Sequence, residues 1–157
     1  MTPNADMIAL KKRLSRFCRE TIESRIATAR QAMDSAQEAA NAEEKSSAGD
    51  KYETARAMGQ LNKEMFARQL AGHLKELSEF NSLNTDAVHQ IVTPGALLQC
   101  SGALFFFLSA GLGKQTVDGQ PILFLSPHAP LAKTIINKKP GDQLTFNGRV
   151  MTIESIC

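Results

Sequence analysis

The feature that most constrains this chain is a run over residues 6–44 that contains neither proline nor glycine. Without these helix breakers the run predicts one long helix, about 55–60 Å at 1.5 Å per residue. Apolar or small residues recur in alternating steps of four and three, which is the heptad seam of a coiled coil. The seam residues are Ile22, Ile26, Ala29, Met33, Ala36 and Ala40. Before them, Leu10, Leu14 and Cys18 follow in steps of four, which predicts a local stutter.

A second helix is predicted from about Asp50 to Glu79, after turn-forming residues at Lys45–Gly49. We expect its apolar stripe to face the first helix. The stripe consists of Ala55, Met58, Leu61 and Met65, continued by Leu70, Leu74 and Leu77. Two long helices joined by a short turn predict an antiparallel hairpin.

The second half of the chain has a different periodicity. Asn81–Asp86 is a predicted linker, and short strand-like runs follow it, separated by glycine and proline. These runs are Val88–Val92, Ala96–Cys100, Leu104–Leu108, Pro121–Leu125, Gln143–Phe146 and Val150–Ile153. Asn147-Gly148 is a strong hairpin-turn signal. A short helix is predicted over Ser126–Ile136, with Ser126 as its cap and Leu131 and Ile135 as its anchors.

The predicted fold class is therefore α+β. An N-terminal antiparallel coiled-coil hairpin (residues 1–80) is followed by a small antiparallel sheet domain with one helix (residues 87–157). Three consecutive phenylalanines, Phe105–Phe107, cannot all face one side of a strand, so at least one is expected to be exposed or at an interface.

Composition excludes several classes of protein. The net charge is only +2, although residues 11–30 are mainly basic and residues 34–53 mainly acidic. Three widely spaced cysteines without a CxxC motif argue against a zinc site or a disulfide framework, and favour a reducing cytoplasm. No signal-peptide pattern is present, and the longest apolar run, Ala103–Leu108, is too short to span a bilayer.

Two carboxylates three residues apart, Asp50 and Glu53, fall at the expected turn of the hairpin. Hard oxygen ligands of this kind suit Mg²⁺. The same spacing also suits an N-cap residue with a third-position glutamate, which would only start the second helix. The spacing alone favours the capping interpretation, and both roles are compatible.

Two segments resemble the Gre factors, bacterial transcription elongation factors that rescue backtracked RNA polymerase. Gly49-Asp50-x-x-Glu53 is similar to the Gly-Asp-x-x-Glu tip of that family. Ser126-Pro127-x-Ala129-x-Leu131, followed by Lys138-Lys139-Pro140-Gly141-Asp142, is similar to its second-domain motif. The resemblance in layout, a helical hairpin followed by a small sheet domain, extends over nearly the whole chain, whereas the specific motifs cover about a fifth of it.

The resemblance implies a sheet domain like that of FKBP-type prolyl isomerases and a hairpin that enters the secondary channel of bacterial RNA polymerase. Asp50 and Glu53 would then be catalytic in trans, as ligands of an Mg²⁺ ion shared with the polymerase. Arg13, Arg16 and Arg19 would contact RNA or the polymerase. The implied protein is a cytoplasmic monomer that binds no cofactor alone, does not engage a membrane and reaches nascent RNA only through the polymerase.

The tip departs from the family pattern, which usually continues Glu-Asn-Ala-Glu-Tyr. Here Glu53 is followed by Thr54-Ala55-Arg56, and Lys51-Tyr52 replaces the usual apolar-Ser pair. A channel-binding modulator of transcription without cleavage activity is therefore an alternative. A coiled-coil adaptor unrelated to transcription is another.

Overall fold

A computed structural model describes residues 5–46 and 50–157, without the side chains of residues 43–46, 50–52 and 55. It contains three helices and six strands over these residues. The helices are α1 (Ala5–Ser46), α2 (Asp50–Asn81) and α3 (Pro130–Ile135). The strands are β1 (Leu97–Cys100), β2 (Leu104–Leu108), β3 (Gly113–Val117), β4 (Gln120–Leu125), β5 (Gln143–Phe146) and β6 (Arg149–Ile156). The α+β class is confirmed, with a long first helix packed on a second and a sheet after them.

The contacts divide the chain into two compact units. Residues 5–19 of α1 belong with Glu79–Cys157, and Glu20–Ser78 form the second unit. We call these the sheet unit and the hairpin unit. The predicted division into residues 1–80 and 87–157 stays a prediction. The contacts show in addition that the start of α1 packs with the sheet.

The sheet has the strand order β3-β4-β2-β1-β6-β5. It is mixed rather than wholly antiparallel as predicted, because β2 and β4 pair in parallel. This pairing follows from the β3–β4 hairpin: β3 lies one strand position away from β2, and β4 turns back to fill the position between them, where it runs in the same direction as β2. Both two-residue turns, Asp118-Gly119 and Asn147-Gly148, have positive φ at both positions, as the favoured hairpin turns require.

Both faces of the sheet are covered. On one face, Phe106 packs edge-on against Phe146, with ring centroids 5.5 Å apart, in a core that includes Ala132 and Ile135 of α3. On the other face, Phe17 of α1 stacks on Phe124, with centroids 5.4 Å apart, and Phe124 contacts Phe107.

The expectation was that at least one residue of Phe105–Phe107 would be exposed or at an interface. Exposure is wrong, and the interface is an internal one, because α1 covers the second face of the sheet. All three side chains are buried. This cover could not be predicted from the second half of the chain, since the residues that provide it lie about a hundred positions earlier.

Two local predictions in the sheet unit need correction. The helix α3 begins at Pro130 with Ala129 as its N-cap residue, and Ser126 does not cap it. The Ser126 hydroxyl instead accepts a hydrogen bond from the backbone N–H of His128, so a turn precedes the helix. Residues 88–92 form bends rather than a strand, although Val92 is buried and its backbone pairs with Asn137 and Lys138.

The buried cysteines make stability sensitive to alkaline pH. Burial raises the pKa of the Cys100 thiol from 9.0 to about 12, and the charge of Glu154 adds to this. The unfolded chain therefore loses this proton before the folded chain does, so stability falls as pH rises above 9.0. We expect Cys100 to contribute a loss of about 1.4 kcal/mol per pH unit up to its folded pKa.

This contribution is measured by comparing urea unfolding of the wild type and Cys100→Ala between pH 8 and 11. The comparison is necessary because Lys11 acts in the opposite sense. Burial lowers the pKa of Lys11, so its unfavourable effect on folding is relieved as pH rises toward 10.5. Equal pH slopes for the two proteins would contradict the role of Cys100.

Candidate functional site: the start of the second helix

The hairpin unit is an antiparallel helix pair. Arg25 of α1 lies 3.7 Å from Glu76 of α2, and Ala40 lies beside Gly59, so residue numbers rise along α1 as they fall along α2. A Cβ atom built on Gly59 would lie 3.0 Å from the Ala40 Cβ. This pairing of a glycine with an alanine lets the two backbones approach closely, and it places the start of α2 next to the end of α1.

Asp50 is the first residue of α2, and Glu53 follows within its first turn. The Glu53 side chain is exposed, whereas the Asp50 side chain lies outside the described part of the structure. A carboxylate is favoured at a helix N-terminus by the helix dipole, so the capping interpretation keeps its physical basis. An exposed Glu53 is also what ligand donation to an external ion needs.

A cationic residue follows Glu53 at the next turn of α2. Arg56 is exposed and three residues after Glu53 on the same helix, a spacing that makes two side chains neighbours. In the sequence, Arg56 is a departure from the Gre-factor pattern. The structure adds that it also lines a groove between the two helices.

This interhelical groove has a volume of about 240 Å³. Arg56 and Lys63 line it from α2, and the amide side chains Gln37, Asn41 and Gln60 complete its polar lining. Among the residues that line it, none is acidic. The two cations suit an anionic group, whereas the amides are partly engaged: Gln37 Nε2 donates to Asn41 Oδ1 at 3.0 Å, and Gln60 Nε2 donates to the Glu64 carboxylate at 3.5 Å.

The predicted seam of α2 is partly wrong. Met58, Leu61 and Met65 are 55%, 59% and 45% exposed, so they lie on the outer face of α2. The inner face at this end is formed by Gly59 and Lys63 instead. Close approach at Gly59 rotates the larger apolar residues away from α1. Toward the end of α2, Leu70 and Leu77 are half-buried, as predicted for the seam, whereas Leu74 is 39% exposed and the prediction is wrong for it.

The basic residues proposed to contact RNA or polymerase have different surroundings within the sheet unit. Arg13 pairs with Asp118, with Nε 2.9 Å from Oδ2. Arg19 donates a hydrogen bond to the Asn81 side chain, and its guanidinium lies 5.2 Å from the centroid of Phe80. Arg16 is exposed. Arg13 and Arg19 thus have structural contacts, and the binding role of all three stays a prediction.

Lys11, at the start of the mainly basic stretch of residues 11–30, is buried. Its Nζ donates to the backbone carbonyls of Ala87, at 2.8 Å, and Cys157, at 3.0 Å. Burial lowers the pKa of Lys11, and nearby Cys157 and Asp86 oppose that effect. Lys11 therefore connects α1 to Ala87, just after the predicted linker, and to Cys157, just after β6. The sequence alone did not indicate this role.

Within residues 5–46 and 50–157, no group of three or more His, Cys, Asp or Glu side chains is arranged to hold a metal ion. The same residues include no helix long and apolar enough to cross a membrane. Comparison with known proteins finds no matching family model and no significantly similar curated sequence.

Proposed function

We propose that this chain is an effector of bacterial RNA polymerase that inserts its helical hairpin into the secondary channel and stimulates cleavage of backtracked RNA. The observation that carries the proposal is the exposed Glu53 in the first turn of α2, beside the end of α1 in an antiparallel pair. The resemblance of the tip and of the 126–142 segment to the Gre factors supports the same function. It also supports an FKBP-type sheet and a cytoplasmic site of action.

The carboxylates fit a shared Mg²⁺ ion, because the ion needs only part of its ligands from this chain and prefers carboxylate oxygens. In this proposal Asp50 and Glu53 supply two of those ligands and the polymerase supplies the others. A bound Mg²⁺ ion would stabilise the negative charge that develops on the RNA phosphate during hydrolysis. The chain itself contributes position and charge, and has no independent activity.

The interhelical groove supports this placement. Lys63 lies within about four turns of Asp50 on α2, where it can contact the phosphates of an RNA strand that follows the hairpin from its tip. These contacts would be independent of sequence, as a factor that acts on any transcript requires.

A second candidate function is a channel-binding modulator without cleavage activity. Arg56 favours it, because a guanidinium beside Glu53 repels a divalent cation and competes for the carboxylate. The two candidates differ only in the chemistry at the tip, and both require binding in the channel.

The deciding experiment incubates the chain with a backtracked elongation complex and measures release of short 3′ RNA. We expect release above the intrinsic rate of the polymerase. Binding to the complex without release would favour the modulator, and no binding would favour an adaptor unrelated to transcription.

A tip conversion tests the effect of Arg56 directly. Thr54→Asn with Arg56→Glu restores the Glu-Asn-Ala-Glu pattern and removes the competing cation. Relief of about 1–2 kcal/mol of repulsion predicts a cleavage rate about five- to thirtyfold higher. Arg68→Glu is the matched control, since Arg68 is exposed on α2 but outside the groove lining. An equal change in both proteins would show a general charge effect and contradict a local one.

A further inference from the structure

A pocket lies within the sheet unit, between the first turns of α1 and the sheet. Its volume is about 290 Å³. The apolar part of its lining includes Met7, Leu10 and Phe105, which are 5%, 8% and 8% exposed. This volume is at the lower end of ligand pockets, and it suits one amino-acid residue better than a nucleotide.

Two glutamines on the rim, Gln99 and Gln120, each make a hydrogen bond through only one of the two polar atoms of the side-chain amide. The Gln120 Nε2 donates to the Ala103 carbonyl at 2.9 Å, which leaves its Oε1 as an acceptor. The Gln99 Oε1 accepts from the Ser155 hydroxyl at 3.1 Å, which leaves its Nε2 as a donor. Neither remaining group has a hydrogen-bond partner within the described residues. One donor and one acceptor are the complement of the C=O and N–H of a peptide backbone.

The charges on the rim argue against a free amino acid as the ligand. Arg13 is the one cation among the lining residues, its charge is matched by Asp118, and the remaining charged residue, Asp6, is itself a carboxylate. A ligand carboxylate would therefore lie near an apolar surface without a free counter-charge, which is costly. A neutral peptide group does not incur this cost.

We propose that this pocket binds a peptide segment of another protein through one large aliphatic or thioether side chain. The side chain enters the apolar floor, the backbone C=O accepts from Gln99 Nε2, and the N–H donates to Gln120 Oε1. The inference does not rest on the proposed function, because it concerns a different unit and needs no nucleic acid.

The test uses the full-length chain, labelled with ¹⁵N and with ¹³C at the methionine methyl groups, and the probe N-acetyl-leucine N-methylamide. We expect saturable shifts, with a dissociation constant in the millimolar range, at the Gln99 side-chain NH₂ and the Met7 methyl group. N-acetyl-glycine N-methylamide should bind at least about tenfold more weakly, because it lacks the side chain that enters the floor.

Two variants test the amide contacts. Gln99→Glu keeps an oxygen for Ser155 but removes the donor, and Gln120→Leu removes the acceptor. Each should weaken binding about three- to tenfold. Gln143→Glu is the matched control, since Gln143 is exposed on β5 and outside the pocket, and its binding should equal that of the wild type. Preserved dispersion of the amide spectrum shows that each variant folds.

Three results would overturn the proposal: no saturable shift with the blocked leucine, equal binding of the blocked glycine, or unchanged binding in both glutamine variants. Free leucine that binds as tightly as the blocked form would overturn the assignment to a peptide and indicate an amino-acid site.

Discussion

Replacing Asp50 by Asn together with Glu53 by Gln is expected to lower stimulated RNA cleavage about 100-fold or more while leaving polymerase binding within about twofold. Loss of two charged ligands removes several kcal/mol of stabilisation from a metal-assisted hydrolysis, and each 1.4 kcal/mol is a factor of ten in rate. Asn remains a good N-cap residue, so the start of α2 should be preserved.

The same preparation should be assayed for RNA release and for competition with an authentic cleavage factor. Glu20→Gln with Glu23→Gln is the matched control, because it removes two exposed carboxylates of the hairpin unit, also three residues apart, far along α1 from the tip. Cleavage that persists in the tip variant, or that falls equally in the control, would contradict metal coordination by Asp50 and Glu53.

A fragment of residues 79–157, without α1, is expected not to fold cooperatively. Phe17 of α1 stacks on Phe124, which in turn contacts Phe107, and Phe105 lines a pocket together with Met7 and Leu10 of α1. Exposure of these three rings costs about 1.5–3 kcal/mol each, which is comparable to the whole stability of a small domain. Calorimetry should show no unfolding peak for this fragment, and a hydrophobic dye should bind to it.

The matched control joins residues 1–19 to residues 79–157 through a short Gly/Ser linker in place of the hairpin unit. A short linker suffices because the Arg19 side chain donates a hydrogen bond to Asn81. This chain should unfold in one cooperative transition. A cooperative transition in the fragment without α1 would show that the helix does not complete the sheet unit.

The two long helices could be predicted from the sequence because their signals are local. Absence of Pro and Gly together with heptad spacing predicted α1, and an apolar stripe after the turn-forming residues 45–49 predicted α2, each within a few residues of the observed bounds. The stutter at Leu10, Leu14 and Cys18 also has an explanation, since residues up to Arg19 pack with the sheet and later residues pack with α2. The change of spacing coincides with a change in the element that α1 packs against, but the spacing does not indicate that the first of these elements is the sheet.

Other features depend on tertiary contacts and left no local signal. The edge strand β3 has the sequence Gly-Lys-Gln-Thr-Val, which lacks an apolar alternation, and it forms because it pairs with β4. The outward orientation of Met58 and Leu61 follows from the close approach at Gly59, which periodicity does not reveal. The predicted start of the second helix located Asp50 and Glu53 correctly in the first turn of α2. The groove lined by Arg56 and Lys63 could not be predicted, because it is formed by residues of both helices.

Site-specific crosslinking tests the central claim, that the hairpin tip lies in the secondary channel, without depending on cleavage. A photoreactive residue would replace exposed Ala57, close to Glu53, and a second variant would carry it at exposed Lys75, near the other end of α2. The account predicts that position 57 crosslinks to polymerase segments that line the channel near the active site, and that position 75 does not. Crosslinks from position 57 to the outer surface of the polymerase, or to no part of it, would contradict the account.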